Sequence, residues 1–369
     1  MMKKLRGTLA VLAVIVLVLS LGVTSTGCIG GSDASKEWVR VVPGDSIAVV
    51  YVDAAILEDE TTKSLMETFG YDDKYEEFLE EIEDSTDVDP SDVDWGVFIL
   101  NDVDYDEYGD IETMDFAIYI QGKFDVDDLI EKITESEELE ESKYKGITIY
   151  KGEDYDGTRY GIVVERDYVI IGTLSMVKDI IDVKKGDAEY DKDLSGIAGK
   201  VGNGYIVAIA NYEKMPSKVK NEVDRAVQNA PTVPIVSLLP DFEYVAMVYT
   251  PKGKDALYLK SVVHFENEDS ADDMAKIING SLATVKSMGF VKENENLKKL
   301  FEEGITVTRN GKDVVVTIEA SVDLISEIID ELNSPYMYYT YETNNENRDQ
   351  VTKEAEEEIE KELEDLING

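Results

Sequence analysis

The feature that most constrains the fold of this chain is an internal repeat. Four segments of the first half recur, in the same order and with similar alternation of apolar and polar positions, in the second half. The matched pairs are 46–54 with 204–212, 116–133 with 259–278, 145–152 with 303–311, and 169–183 with 316–330. Repetition of this kind is typical of a structural unit that occurs twice. We therefore expect two related units, at 44–190 and 196–333.

The local patterns within each unit alternate between strands and helices. Runs of alternating Val, Ile and Tyr, bounded by glycine or charged turns, predict β-strands and hairpins. Amphipathic stretches predict helices, with the acidic residues that begin at Asp125 near one start and Ser175 and Ser321 in N-cap positions of two others. The predicted fold class is therefore α+β, with two similar tandem units. Each unit would be a mainly antiparallel sheet with helices packed on one face.

The first 27 residues have the pattern of an export signal. A basic start precedes residues 8–23, which are uncharged and apolar. This run is shorter than the roughly 20 apolar residues that a stable membrane span needs. Small residues then lead to Cys28, the only cysteine in the 369-residue chain. We interpret 1–27 as a signal peptide and the small, polar stretch 28–43 as a flexible tether.

The residues around Cys28 resemble the lipobox of bacterial and archaeal lipoproteins, with Gly27 and Cys28 at the two key positions. This resemblance implies that the Cys28 thiol carries a diacylglycerol and that the chain is cleaved before it. The alternative is an uncleaved N-terminal anchor helix. In both cases the body is expected to lie outside the cell, held at the outer face of the membrane, in the lipoprotein case through the lipid on Cys28.

The body also resembles a broad group of exported prokaryotic domains of unknown function. The resemblance is carried by "IAVVYVDA" at 47–54 and by "YVIIGT" at 168–173, which precedes a helix. It implies no known chemistry.

Charge excludes several classes of partner. The chain has 79 acidic and 36 basic residues, with a formal net charge of −43. Such a field repels nucleic acid and anionic lipid headgroups, so no nucleic-acid partner is expected. The only histidine, His264, lies in a strand-like pattern, where a structural role is expected over a catalytic relay.

The acidic segment 104–115 is a candidate cation site. Calcium takes oxygen ligands from alternating positions of a 12-residue loop, with glycine at the sixth position. The ligand candidates are Asp104, Asp106, Glu112 and Asp115. The flanking segments have strand patterns, so this would be a calcium-binding hairpin tip and not an EF-hand. The alternative is a solvated loop, because acidic spacings of this kind arise easily in so acidic a chain.

These observations favour a non-enzymatic, lipid-anchored, exported surface protein with a binding or envelope-associated role. Its partner would be an unknown protein or envelope component, and no cofactor is expected apart from Ca²⁺. Residues 334–369 would add a tyrosine-rich segment and an acidic C-terminal helix. One alternative is a calcium-dependent adhesion or envelope-stabilising protein. Another is an exported hydrolase that uses a carboxylate pair.

Overall fold

The computed structural model describes residues 37–69, 90–105, 111–136, 139–154, 157–217, 220, 242–253 and 255–332. The predicted signal peptide, Cys28 and the segment 334–369 lie outside these residues. Within the described ranges, every helix is too short or too polar to cross a membrane.

In the described part of the chain, twelve strands form a single antiparallel sheet. They are β1 (Ala48–Asp53), β2 (Val93–Tyr105), β3 (Ile111–Gly122), β4 (Glu140–Tyr144), β5 (Ile147–Glu153), β6 (Arg159–Val164), β7 (Tyr168–Thr173), β8 (Ile206–Asn211), β9 (Phe242–Lys252), β10 (Ala256–Phe265), β11 (Ile305–Asn310) and β12 (Asp313–Ser321). Their order across the sheet is β11-β12-β10-β9-β8-β1-β2-β3-β7-β6-β5-β4. The predicted mixture of helices with antiparallel strands is confirmed in this form. We call β1–β7 the first half of the sheet and β8–β12 the second half.

Helices lie between the strands along the chain. They are α1 (Glu60–Thr68), α2 (Val126–Ser136), α3 (Leu174–Lys185), α4 (Lys192–Val201), α5 (Glu268–Ser287), α6 (Gly289–Glu293), α7 (Glu295–Lys299) and α8 (Val322–Leu332). Short 3₁₀ turns occupy Trp38–Val41, Ala54–Leu57 and Pro90–Asp92, and a π turn occupies Leu300–Gly304. A separate compact unit begins at Asp323, within α8.

Three predicted helix starts can be compared with the structure. Ser321 directly precedes α8, as predicted. The Asp125 carboxylate accepts hydrogen bonds from the backbone N–H groups of Asp127 and Asp128, as a capping carboxylate does. The prediction for Ser175 is wrong by two positions, since Thr173 is the N-cap residue and Ser175 lies inside the first turn of α3. The Ser175 hydroxyl is instead used in a contact with β3, described below.

The prediction that helices pack on one face of the sheet is wrong. Helices α3 and α4 cover one face, where they bury residues such as Val163 of β6. Successive residues of a strand point to opposite faces, so Ile162, next to Val163, lies on the other face, where α2 covers it. In the second half of the sheet, α5 covers that same face. The physical reason is that the strands are apolar at consecutive positions. Both faces of the sheet therefore need a cover.

The two halves of the sheet meet where β1 pairs with β8. This antiparallel pairing is centred on Val50 and Ala208. Outward from the centre, Val50 pairs with Phe98 of β2, and Ala208 pairs with Met247 of β9. The hydrogen-bonded ladder therefore continues from one half into the other without a gap.

A row of aromatic rings crosses the first half under α3. Tyr119 stacks on Trp95 at 5.3 Å and on Tyr168 at 5.5 Å between ring centres. The Lys184 ammonium, in the last turn of α3, lies 3.9 Å from the centre of the Tyr168 ring and donates a hydrogen bond to the Tyr119 hydroxyl. Burial lowers the pKa of Lys184. These contacts fix one end of α3, and the candidate site lies at its other end.

Candidate ligand-binding cleft

A cleft of about 700 Å³ opens at the end of the sheet where β7 leads into α3. Its walls are residues 113–115 of β3, residues 157–159 at the start of β6, and Thr173, Leu174, Ser175 and Lys178. Most of the lining residues have polar side chains, although polar and apolar atoms contribute about equally to the lining surface.

Gly172 allows two strands beside this cleft to lie close together. It lies in β7, where it pairs with Ala117 of β3. A Cβ atom at this position would lie 2.3 Å from the Phe116 carbonyl oxygen and 2.6 Å from the Ala117 Cα. Only glycine therefore lets β7 approach β3 so closely. The approach brings the next residue, Thr173, beside the carboxylate of Asp115.

Asp115 is the hub of the polar lining. Its Oδ1 accepts hydrogen bonds from the hydroxyls of Thr173 and Ser175, the latter at 2.9 Å. Its Oδ2 lies 3.4 Å from the Asn101 side-chain nitrogen, which is long for a hydrogen bond. An ionised carboxylate can accept about four hydrogen bonds, so Asp115 keeps acceptor capacity for a further donor.

The cleft also holds two cations. Arg159 is exposed, and its Nε lies 3.6 Å from a Glu153 carboxylate oxygen. Lys178 is half-buried, with its ammonium 5.6 Å from the centre of the Tyr144 ring. An arginine fork binds carboxylates in bidentate geometry, while a lysine acts as a point charge. Arg159 and Lys178 therefore make part of the cleft attractive to an anionic group.

An acidic surround lies beside these cations. One turn along α3 from Ser175, the pKa of Asp179 is raised, first by burial and then by the nearby carboxylates of Asp45 and Asp115. The contribution of these neighbouring carboxylates, which is smaller than that of burial, indicates a locally negative potential beside the cleft. The cleft thus presents a carboxylate and two cations, and it matches a ligand that carries both signs of charge.

The predicted calcium ligands are only partly described. Asp104 lies in β2 and Asp115 in β3, two residue pairs apart along the ladder. Asp106 and the side chain of Glu112 lie outside the described residues. In the described part of the chain, no three His, Cys, Asp or Glu side chains converge as metal ligands would. The calcium site remains a prediction, and Asp115 is placed against α3.

His264 lies in a network on the second half of the sheet. Its Nδ1 contacts the Asp313 carboxylate, and its Nε2 lies 3.3 Å from a Glu243 carboxylate oxygen. The ring stacks on Tyr244 at 4.8 Å, and the Tyr244 hydroxyl accepts a hydrogen bond from Lys200. These contacts join β9, β10, β12 and α4, as a structural histidine would.

Sequence patterns missed most of the cleft. Ser175 was found but interpreted as a helix cap, and Thr173, Lys178 and Arg159 were not identified. Thr173 and Lys178 lie close to Ser175 in sequence, so this cluster of polar residues at the start of a helix could have indicated the cleft. Arg159 joins them only because β6 pairs with β7, a long-range pairing that local sequence does not reveal.

Comparisons with known proteins add little. No family model matches the sequence, and the search of curated proteins finds no match. Among solved structures, crystal form III of TP0453 aligns with a TM-score of 0.41 and 11% identity over 80% of this chain and 98% of that chain. Crystal form I gives 0.39 and 10% over 80% and 98%, and form IV gives 0.40 and 10% over 79% and 95%. These similarities are too weak to carry an inference.

Proposed function

We propose that this protein is a non-enzymatic, exported surface protein that is lipid-anchored through Cys28 and binds a small polar ligand in the cleft. The observation that carries the proposal is the convergence, in a recess of about 700 Å³, of a carboxylate, several hydroxyls and two cations. This volume falls in the range of roughly 300–1,000 Å³ found for small-molecule sites, while the cleft is wide open to solvent and carries more charge than most such sites.

The charges of the lining favour a zwitterion, such as a free amino acid, as the ligand. Asp115 retains acceptor capacity for an ammonium group, and Arg159 offers a guanidinium fork for a carboxylate. The chain has a net charge of −43, so a simple anion approaching the cleft would be repelled. A ligand with no net charge would reach the cleft without this long-range repulsion.

The pairing register supports a duplicated architecture, which we include in the proposal. Val50 and Ala208 pair at the junction, and each is the fifth residue of its repeated segment, 46–54 or 204–212. Antiparallel strands that pair about equivalent residues are related by a local twofold axis. Two strands out from the junction on each side, Ile118 and Ser261 are likewise the third residues of their matched segments.

The same equivalence supports a cleft specific to the first half. The position that corresponds to Asp115 in the second half is Tyr258, whose side chain is buried. A buried aromatic ring there replaces the carboxylate. One half would then have kept a packed core where the other acquired a binding site.

One match between the repeats does not agree with the sheet. Segment 145–152, which forms β5, resembles 303–311, which forms β11. However, β11 pairs with the outer side of β12. Strand β12 corresponds to β7, and the strand that pairs with the outer side of β7 is β6, not β5. In the proposed duplication β11 therefore takes the place of β6, and the resemblance to β5 reflects similar hairpin composition.

Calorimetric titration with glycine and L-glutamine, with D-glucose as the uncharged control, tests the ligand class. Binding of the amino acids and not of the sugar is expected. Arg159→Ser should weaken binding by about tenfold, the loss of one charge-assisted pair. Lys185→Ser, at the far end of α3, is the matched control and should leave affinity unchanged. Amino-acid binding that Arg159→Ser does not alter would place the ligand elsewhere.

Intact mass spectrometry of the protein extracted from membranes tests the anchor. A diacylglycerol thioether on an N-terminal Cys28 is expected. A full-length precursor with a free Cys28 thiol would contradict the lipoprotein proposal.

A further inference from the structure

The two edges of the sheet are protected differently. Edge strands are normally blunted by charges or by short length, because their free backbone groups can pair with another chain. Strand β4 has five residues, three of which are charged: Glu140, Glu141 and Lys143. Strand β11, at the other edge, has one charged residue, Arg309, which pairs with Glu268.

Strand β11 and the turn that follows it contain no acidic residue. From 304 to 312 there is no acidic residue, and Arg309 and Lys312 are basic. Over 286–312 basic residues outnumber acidic ones, whereas the whole chain has 79 acidic and 36 basic residues. A second copy of this chain would therefore meet less repulsion along β11 than along the other edge strand, β4, which carries Glu140 and Glu141.

The composition of β11 suits strand pairing. Four of its six residues are β-branched, and the side chains of Thr306 and Thr308 are exposed. In the described part of the chain, β12 lies on one side of β11 and the sheet ends on the other. The outer backbone edge of β11 is therefore a template for strand addition.

We propose that β11 pairs antiparallel with β11 of a second copy of this chain, so that the two sheets join across a twofold axis. The protein already uses this geometry internally, since β1 and β8 join its two halves by antiparallel pairing. A pairing centred on Val307 sets Thr306 opposite Thr308 of the other copy. Threonine pairs of this kind stabilise antiparallel strands, and this register brings no like charges opposite each other.

Sedimentation velocity of the full chain in detergent, over a range of protein and salt concentrations, tests this dimer. A monomer–dimer equilibrium is expected that strengthens with added NaCl, because salt screens the net repulsion. Thr308→Glu would place like charges close together across the axis and should raise the dimer dissociation constant by about tenfold or more. Thr308→Lys should have the same effect with the opposite charge.

Lys143→Ser is the matched control, because it makes the same change in net charge as Thr308→Glu at the β4 edge. It should change the dissociation constant by less than about twofold. Equal urea midpoints for the variants would show that each is folded. A chain that stays monomeric at about 100 μM in high salt, where a micromolar dimer would be saturated, would overturn the proposal. A dimer weakened by Lys143→Ser and unaffected by Thr308→Glu would also overturn it.

Discussion

Replacing Gly172 by alanine should destabilise the body and distort the cleft together. The added methyl carbon would lie 2.3 Å from the Phe116 carbonyl oxygen and 2.7 Å from the Ala117 Cβ, so β3 and β7 must separate by close to 1 Å. Overpacking a well-packed site costs about 1–3 kcal/mol, and each weakened ladder hydrogen bond adds about 1 kcal/mol. We expect a loss of about 3 kcal/mol, a large part of the roughly 5–15 kcal/mol that stabilises a typical domain.

Urea unfolding measures this loss as a lower midpoint at unchanged slope. Gly196→Ala is the matched control, because Gly196 lies in α4 and an added Cβ there meets no neighbouring atom within 4 Å. It should stabilise the protein by about 0.5–1 kcal/mol, since alanine is the better helix former. A Gly172→Ala variant within about 0.5 kcal/mol of wild type, which is the range of neutral surface substitutions, would refute the reasoning.

Three further predictions concern other parts of the molecule. Lys214→Ala should lower the free energy of unfolding by about 3 kcal/mol, because the buried Asp191 carboxylate would lose its ion pair at 2.7 Å. Lys192→Ala, which removes an exposed ion pair, should lower it by less than about 1 kcal/mol. Equal urea midpoints for the two variants would contradict this. Burial raises the pKa of Tyr249 to about 12. The unfolded side chain ionises near pH 10, whereas the folded one stays neutral to a higher pH. The free energy of unfolding is therefore unaffected by the ionisation of Tyr249 below about pH 10 and falls as the pH rises towards 12. Tyr249→Phe should flatten that decline in alkaline unfolding curves, and an unchanged slope would count against it. The calcium hypothesis predicts a saturable rise in melting temperature that Asp104→Asn abolishes, and a rise no larger than NaCl gives at equal ionic strength would exclude it.

Local structure was largely predictable from sequence. The strand "YVIIGT" is β7, and the acidic start at Asp125 caps α2, because period and capping are properties of a few neighbouring residues. The junction between the halves was not predicted. A pairing of β1 with β8 joins segments about 150 residues apart, and both strands are apolar on consecutive positions with no mark of a partner.

The site was less predictable than the fold. Asp115 was singled out as a metal ligand at a hairpin tip, but its carboxylate accepts from two hydroxyls at the start of α3. That contact depends on Gly172, whose missing side chain allows β3 and β7 to approach. The glycine is visible in the sequence, but its role in close strand packing follows only from the pairing of β7 with β3. The sequence analysis placed the helices on one face only. A strand pattern shows which residues are buried, but it does not show which helix covers them.

The central claim is that the cleft beside Asp115 binds a small zwitterion. An amide NMR titration of the full chain with L-glutamine tests it most directly, because each perturbed signal reports a position. The account predicts saturable shifts at Thr113, Ser175 and Lys178, which line the cleft, and saturation at about tenfold higher ligand concentration in the Arg159→Ser variant. Shifts that are absent, or that cluster at the second half of the sheet, would contradict it.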